Sequence, residues 1–436
     1  MPSLANLDDL RTVLGQLNAE RPAGVEPRPD QTLYEQREGD FFKRLDLEVT
    51  SRQGKARILV TGQIGVGKSS ELRHYFHATK RDPRRGFYVL CDLEKEEHPE
   101  RCGATGVLLT ILRDSWSAAR SFQEARSLES IREDILSRMI DWLKGEYTDN
   151  KEAVTFRFGG MAFLVSLEPR ARDAALALVL GKAAQHEAVS QPSERFGLAP
   201  DSLLGLLNKL LQQFAISTNG RPRILIVDHV DKIRDPAAAE DVLLKAFPHW
   251  NRIAASIIMT APFEYTLGEL GNSVESKWGH PQMLYPVEIP GLETGEIPAM
   301  YRNIVKHCGL AGMMEEGGLR LLAHYSGGIL RLFVQFLIQA CKEAHFASHA
   351  RVMTSDAEAV ISQAGRGYQD YTADDLNLLE EIDSRGTGLR QAAILLRSPI
   401  GLLVCAPRAG EAQLRVHPLA RAALERFRLR TQVAPK

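Results

Sequence analysis

Gly62-Gln63-Ile64-Gly65-Val66-Gly67-Lys68-Ser69 is the stretch on which the fold of this chain turns. It fits the phosphate-binding pattern G-x-x-x-x-G-K-[ST] in full. Before it, Arg57-Ile58-Leu59-Val60-Thr61 is a short apolar run of strand character, and after it Ser70 to Phe76 reads as a helix. A strand, a glycine loop and a helix N-terminus in that order place the backbone N–H groups from Gly62 to Ser70 around a polyphosphate. Lys68 then neutralises the β/γ oxygens, and the Ser69 hydroxyl completes a Mg²⁺ shell. The stretch therefore predicts a nucleoside triphosphate site.

With 436 residues, the chain exceeds one ordinary domain, so a large core with smaller companions is expected. A 44% apolar and 25% charged composition supplies material for real cores. The formal net charge of −1 provides no global attraction to nucleic acid, so any DNA contact must be a local patch. Cys91, Cys102, Cys308, Cys341 and Cys405 are odd in number and scattered, with no C-x-x-C pair. That argues for reduced thiols and against a zinc site or a disulfide framework. No apolar run reaches membrane-spanning length, and the N-terminus carries acidic residues without a signal-like apolar core. A cytoplasmic protein with no membrane partner is expected.

Working outward, Leu4 to Leu17 reads as an amphipathic helix, followed by an arm with Pro22, Gly24, Pro27 and Pro29, and Leu33 to Leu47 as a second helix. Gly86 to Asp92 is a second buried strand with an acidic exit, Pro222 to Asp228 a third, Ser256 to Thr260 a fourth and Leu284 to Ile289 a fifth. Short buried strands alternating with helices predict an α/β fold, a parallel sheet covered on both faces. Between the second and third strands lies a long excursion. Helical segments run through Leu108–Phe122, Ile131–Lys144 and Leu203–Phe214, and two alternating runs about Gly159-Gly160 read as a β-hairpin. Glu293 to about Gly367 reads as helical throughout, with Ser355-Asp356-Ala357-Glu358 as a capping box. Helix signals at Asp374–Asp383 and Leu389–Leu396, alternating stretches at Gly401–Val404 and Gln413–His417, and a helix after Pro418 describe a winged helix-turn-helix. The expected organisation is a helical arm over residues 1–45, a core over 46–292 with an insertion at 107–216, a helical lid over 293–370 and a winged helix over 371–436.

The other half of the nucleotide site follows from the third strand. Ile224 to Asp228 is an apolar run ending in a carboxylate, which at the edge of a parallel sheet holds a water of the Mg²⁺ shell. Hydrolysis also needs a carboxylate to orient and polarise water. The position after the strand Asp, where many ATPases carry Glu, is His229, so the base is assigned to Asp231, with His229 next in line. A helix N-cap is the structural alternative for Asp231. Thr260, ending the fourth strand, either senses the γ-phosphate or is an ordinary strand-end threonine. Arg331 follows Ser326-Gly327-Gly328-Ile329-Leu330 and opens an apolar helix. From a lid it could reach the γ-phosphate and couple hydrolysis to lid movement, or it solvates a helix face.

Together these pieces resemble the AAA+ ATPases, on the origin-recognition-like side that grades into the STAND ATPases, from about Leu33 to the C-terminal helix. Ser326 to Arg331 looks like the sensor-2 motif of the lid, and Asp228-His229-Val230-Asp231 is similar to the Asp-x-x-Asp of NACHT and KAP-type ATPases. Arg37-Glu38 resembles the pair that helps to hold adenine in this group. Val416-His417-Pro418-Leu419 fits its winged helix, where the resemblance implies that His417 touches the β-phosphate; a structural histidine before a Pro-started helix is the other reading. The resemblance implies ATP and ADP as ligands, with Mg²⁺, and no guanine-reading Asn-Lys-x-Asp run is present. One departure is that Phe263 to Gln282, where AAA+ rings carry an arginine finger, contains Lys277 and no Arg. Arg302 in trans is a substitute; otherwise hydrolysis does not depend on a neighbour.

Two functions follow. One is a slow, regulated ATPase switch, closed with ADP and forming homo-oligomers with ATP, that answers a protein trigger and acts through a separate effector. The resemblance places such switches in bacterial conflict, antiviral or signalling systems. The other is a DNA-binding loader or remodeller whose winged helix sits on duplex DNA through Arg408, Arg421, Arg426, Arg428 and Arg430.

Overall fold

The computed structural model describes residues 3–17, 41–52, 54–80, 86–95, 99–120, 153–158, 161–166, 200–217, 221–266, 268–293, 296–366, 372–385, 402–405 and 413–433. Arg37-Glu38, the helix expected at Ile131–Lys144, the one at Leu389–Leu396 and Arg408 lie outside them. The strands are β1 (Arg57–Thr61), β2 (Phe87–Asp92), β3 (Ala153–Phe158), β4 (Met161–Ser166), β5 (Arg223–Asp228), β6 (Ser256–Thr260), β7 (Gln282–Met283), β8 (Leu402–Cys405) and β9 (Gln413–Val416). The helices are α1 (Leu7–Gln16), α2 (Phe41–Ser51), α3 (Lys68–Lys80), α4 (Ala104–Arg120), α5 (Pro200–Ser217), α6 (Pro236–Glu240), α7 (Phe247–Asn251), α8 (Gly268–Trp278), α9 (Ala299–His307), α10 (Glu316–Tyr325), α11 (Leu330–Phe346), α12 (Thr354–Arg366), α13 (Ala373–Arg385) and α14 (Pro418–Val433).

β1, β2, β5, β6 and β7 form one sheet in the order β2-β5-β6-β1-β7. Its neighbouring strands are all parallel. Alternate side chains of each strand go to opposite faces. Ile58, Val60, Ile224, Ile226 and Ile258 pack with Leu45 and Val49 of α2 and Leu72 and Tyr75 of α3. Leu59, Leu225, Val227, Ile257 and Met259 pack with Leu108 and Leu112 of α4 and Leu207 and Leu211 of α5. Burial on both sides explains why these strands read as continuous apolar runs. Arg57 is the buried exception. Its guanidinium donates to the carbonyls of Ala56, Ala255 and Ile253 at 2.9, 2.7 and 2.9 Å, knitting the start of β1 to the turn before β6.

The fifth strand is shorter and earlier than the sequence predicts. Gln282–Met283 pairs with β1, and Leu284 donates one further bond to Thr61 O. Pro286 lacks the N–H that would continue a ladder, and the segment turns to the helical region instead, Val287 N donating to Gly328 O at 2.9 Å. The capping box also moves. The Asp356 carboxylate accepts from Met353 N at 2.8 Å, and Glu315 accepts from both Thr354 N and its hydroxyl. Ser355 consequently lies inside α12.

β3 and β4 pair antiparallel, Phe156 opposite Phe163, as the expected hairpin in the excursion between β2 and β5. α9 to α12 form a second core, onto which α1 docks through Leu10 and Val13. Antiparallel β8 and β9 make the wing between α13 and α14. Leu379, Ile382, Val416, Ala420 and Leu424 of this unit pack on Phe263, with Met283 and Tyr285 alongside. The wing unit therefore sits on the same end of the sheet as the glycine loop.

Candidate functional site

The loop Gly62–Gly67 leaves β1 and feeds α3 at the C-terminal ends of the parallel strands, where such sheets bind ligands. Gly62, Gly65 and Gly67 all have positive φ. Gly65 also has a neighbour to avoid, because a Cβ there would meet Ile329 Cγ2 and Arg331 Cβ, each at 2.9 Å. Lys68 curls back along the loop, donating to Gly62 O at 2.7 Å and Gln63 O at 3.2 Å, and pairs with Asp231 Oδ2 at 2.8 Å. A carboxylate thus occupies the anionic partner position that a phosphate oxygen would take on this lysine.

β5 and the turn after it deliver the carboxylates. Asp228 is fully buried; its Oδ1 accepts from Ser69 Oγ at 3.0 Å and His229 N at 2.8 Å. Asp228 Oδ2 and Asp231 Oδ1 are buried without a hydrogen-bond partner among the described residues. Burial raises the Asp228 pKa, and the Asp231 charge adds to it. For Asp231 burial acts in the same direction, but the charge and hydrogen bond of Lys68 outweigh it and the pKa falls. Thr260, also fully buried, accepts from Val230 N at 3.0 Å and Asp231 N at 3.4 Å, so its hydroxyl supports the turn that carries Asp231.

His229 takes a left-handed conformation at φ 67°, an unusual one for a residue with a side chain. Its Nδ1 lies 2.6 Å from Asp92 Oδ1 and its Nε2 3.2 Å from Ser69 Oγ. Arg73 of α3 donates to Asp92 Oδ2 at 2.9 Å. Burial opposes a charge on His229; the Asp92 bond and the carboxylates of Asp228 and Glu94 outweigh it, raising the pKa. Burial likewise opposes the Asp92 charge, and the bond to His229 with the Arg73 guanidinium holds that carboxyl below the ordinary range. Asp92, Glu94 and Arg73 are not among the residues that the sequence pattern singles out. Asp92 has one signal, its place at the acidic exit of a buried strand; the parallel register then sets it opposite Asp228.

Of the other residues, Arg331 meets the loop through its backbone, its N–H donating to Gly65 O at 3.1 Å. His417 is buried at the wing–α14 junction. Leu419 N donates to its Nδ1 at 3.2 Å, so Nε2 carries the proton and faces Ser326 O at 3.3 Å. Burial pushes its pKa down to about 4. Val66 is buried, while Ile64, Gly65, Gly67, Ser69 and Ser70 are partly open. Arg302, the substitute for an arginine finger, holds Glu316 through two hydrogen bonds of 3.0 and 2.6 Å.

A five-stranded parallel sheet with a phosphate loop after β1, an acidic end on β5, a helical unit beside the loop and a wing beyond it defines a P-loop nucleotide-binding fold. No protein-family model matches the chain, and no curated protein does. Among solved structures it is similar to the Walker-type ATPase of Pyrococcus abyssi, at 13% identity over 97% of this chain and 99% of that one, with a TM-score of 0.45. It is similar to the Aeropyrum pernix ORC2 protein in ADPNP–ADP complexes, at 11% identity over 97% and 98%, TM-score 0.42. The Aeropyrum pernix ORC1 protein in complex with DNA gives 13% over 93% and 97%, TM-score 0.41. With TM-scores below 0.5, the fold assignment rests on the strand order and the loop themselves. Among the described residues, no helix is long and apolar enough to cross a membrane.

Proposed function

We propose that this chain binds and slowly hydrolyses ATP as a conformational switch, with residues 46–292 as the core, 293–370 as a lid and 371–436 as a winged helix. One observation carries the reading: a continuous set of contacts from the phosphate loop to the wing. Gly65 O accepts from Arg331 N, and Ser326 O, at the other end of the same Gly-Gly joint, faces His417. On this reading, binding at the loop is transmitted along these contacts to α14.

The chain's own residues divide the work. The loop N–H groups and Lys68 bind the phosphates. Entry of a γ-phosphate gives Lys68 a new anionic partner and releases Asp231, whose free oxygens can then orient and polarise a water. Thr260 positions Asp231 through the two N–H groups it accepts. The residues fit a divalent cation, because Ser69 Oγ and Asp228 Oδ1 stand 3.0 Å apart and Asp228 Oδ2 is unpartnered beside them. Mg²⁺ held there would neutralise charge on the phosphates. Arg331 reports the phosphate to the lid, His417 bears on its far end, and Arg37 holds the adenine. The output is a protein effector, in a conflict or signalling system of the kind the sequence resemblance implies, reached from the cytoplasm through an ATP-state homo-oligomer.

The second reading is a DNA remodeller, favoured by the wing itself. Two of its cations are already engaged: Arg428 pairs with Glu380 and Asp383, and Arg421 lies 3.6 Å from Asp383. The patch left for phosphates is correspondingly weak. The test is ATP turnover by wild type and Asp231→Asn, with and without duplex DNA. We expect slow turnover that DNA leaves unchanged and the substitution removes, with ADP binding retained. Acceleration by DNA establishes the second reading; unchanged turnover in Asp231→Asn moves the base elsewhere.

A further inference from the structure

The residue after the acidic strand end is a histidine, and the fold aims its ring at Ser69 and Asp228. His229 Nε2 lies 3.2 Å from Ser69 Oγ, 3.4 Å from Glu94 Oε2 and 3.7 Å from Asp228 Oδ2. Ser69 Oγ and Asp228 Oδ1 are 3.0 Å apart. Neighbouring ligands of an octahedral cation with bonds of about 2.1 Å are separated by about 3 Å. Asp92, Glu94 and His229 bring one ligand atom each within 4.8 Å of one another. Independently of that cluster, the fully buried Asp228 carries an oxygen with no hydrogen-bond partner, on the side of His229 Nε2.

The far side of the ring is built for ligation. Nδ1 sits 2.6 Å from Asp92 Oδ1, and Asp92 is fixed by Arg73 and by the N–H of Glu94 at 3.0 Å. With Nδ1–H held by Asp92, the ring is fixed and Nε2 is the nitrogen left to ligate once a cation displaces its proton. A carboxylate behind a ligating histidine is the usual way in which its tautomer and orientation are set. The left-handed backbone at His229 is the strain that puts the ring there. Lys232 pairs with Glu94 Oε1 and leaves Oε2 toward the histidine.

We propose that the nucleotide's cation in this protein is ligated by His229 Nε2 together with Ser69 and Asp228, and that this centre selects a first-row transition ion such as Mn²⁺ over Mg²⁺. Mg²⁺ takes oxygen ligands, whereas imidazole raises affinity for the transition series. The inference rests on the nucleotide reading above, and its test separates the two.

Full-length protein is titrated with Mn²⁺ in the presence of ¹⁵N-labelled ADP, and bound Mn²⁺ is followed by electron paramagnetic resonance, with Mg²⁺ as competitor. Any ¹⁴N modulation of the echo then comes from the protein. We expect ¹⁴N modulation from the bound ion and displacement only by a large excess of Mg²⁺. His229→Asn, a residue tolerant of the left-handed backbone, should abolish the modulation and shift the Mn²⁺-to-Mg²⁺ affinity ratio about tenfold toward Mg²⁺. Asp92→Asn should weaken Mn²⁺ about tenfold and keep the ¹⁴N signal. Bound Mn²⁺·ADP without ¹⁴N modulation, or an unchanged ratio in His229→Asn, overturns the proposal and leaves the nucleotide reading standing. Absence of ADP binding with either ion overturns both.

Discussion

Lys68 is the residue on which binding and stability meet. Its ammonium is buried and answered by Asp231 and two loop carbonyls, so removing it does two separable things. It deletes a charged donor to phosphate, and it strands a mostly buried carboxylate. Lys68→Ala should weaken ADP and ATP binding by about ten- to a hundredfold, since a hydrogen bond to a charged group contributes about 1.5–3 kcal/mol. It should also lower stability to urea. Adding Asp231→Asn should restore stability and leave affinity lost, because the stranded charge is gone but no donor has returned. Calorimetric titration and urea melts of the three variants check this; recovered affinity in the double variant would remove Lys68 from the site. At this scale the phosphate loop was legible in the sequence because its residues are consecutive and each answers to local backbone chemistry. Asp92 was not, because its partner His229 is 137 positions away and only the order of a parallel sheet brings them together. Thr260 was legible as a strand end, yet its bonds to the turn carrying Asp231 depend on the neighbouring strand's exit path.

Among the elements, the joint between α10 and α11 carries the most information per residue. Gly328 has φ 79°, its carbonyl accepts from Val287 N, and an added Cβ would lie 2.1 Å from Val287 O. Gly328→Ala should therefore cost about 1–3 kcal/mol and detach the lid from the segment after β7, seen as a lowered melting temperature and faster proteolysis near Val287. An unchanged melt would mean the joint is not held by that contact. On the opposite side, His417 makes the docking of the wing sensitive to pH. Its folded pKa of about 4 lies below the ordinary 6.5, so the undocked histidine binds a proton in this window and the docked one does not. Docking is at full strength above about pH 6.5, weakens as the pH falls toward 4, and then levels, a loss of up to about 3 kcal/mol. The His324 charge acts in the same direction. Hydrogen exchange of α14 at pH 5 and pH 7 checks the slope, which His417→Gln, able to keep a donor toward Ser326, should flatten. The motif Ser326 to Arg331 was legible as a unit. The identity of what it touches was not, since Val287 follows a strand that Pro286 cuts short and Ser326 meets a histidine 91 positions away.

At the scale of the whole molecule, α1 and the wing unit each dock on elements distant from them in sequence. Helix α1 packs on the α9–α12 core, with Leu4 N bonded to Ala350 O, and the wing unit rests on Phe263 beside the sheet end that carries the loop. In this arrangement Lys68 pairs with Asp231. On the proposed reading, a γ-phosphate competes for Lys68 and acts through the Gly65–Arg331 contact on the joint that His417 faces. Differential affinity for the two arrangements is all a nucleotide can contribute to the equilibrium. ADP, lacking the γ-phosphate, should leave the chain compact and monomeric. A non-hydrolysable ATP analogue should enlarge it and raise its mass. Asp231→Asn with ATP itself should behave as the analogue does, because the open state is no longer emptied by hydrolysis. The exposed pair between Arg302 and Glu316 is worth under about 1 kcal/mol, so an assembled neighbour could still draw Arg302 away. Light scattering with small-angle scattering, in ADP and in the analogue, decides the matter. Equal size and mass in both nucleotides, with binding shown independently, would leave an ATPase that does not switch, and the contacts from Gly65 to His417 would then be a fixed scaffold.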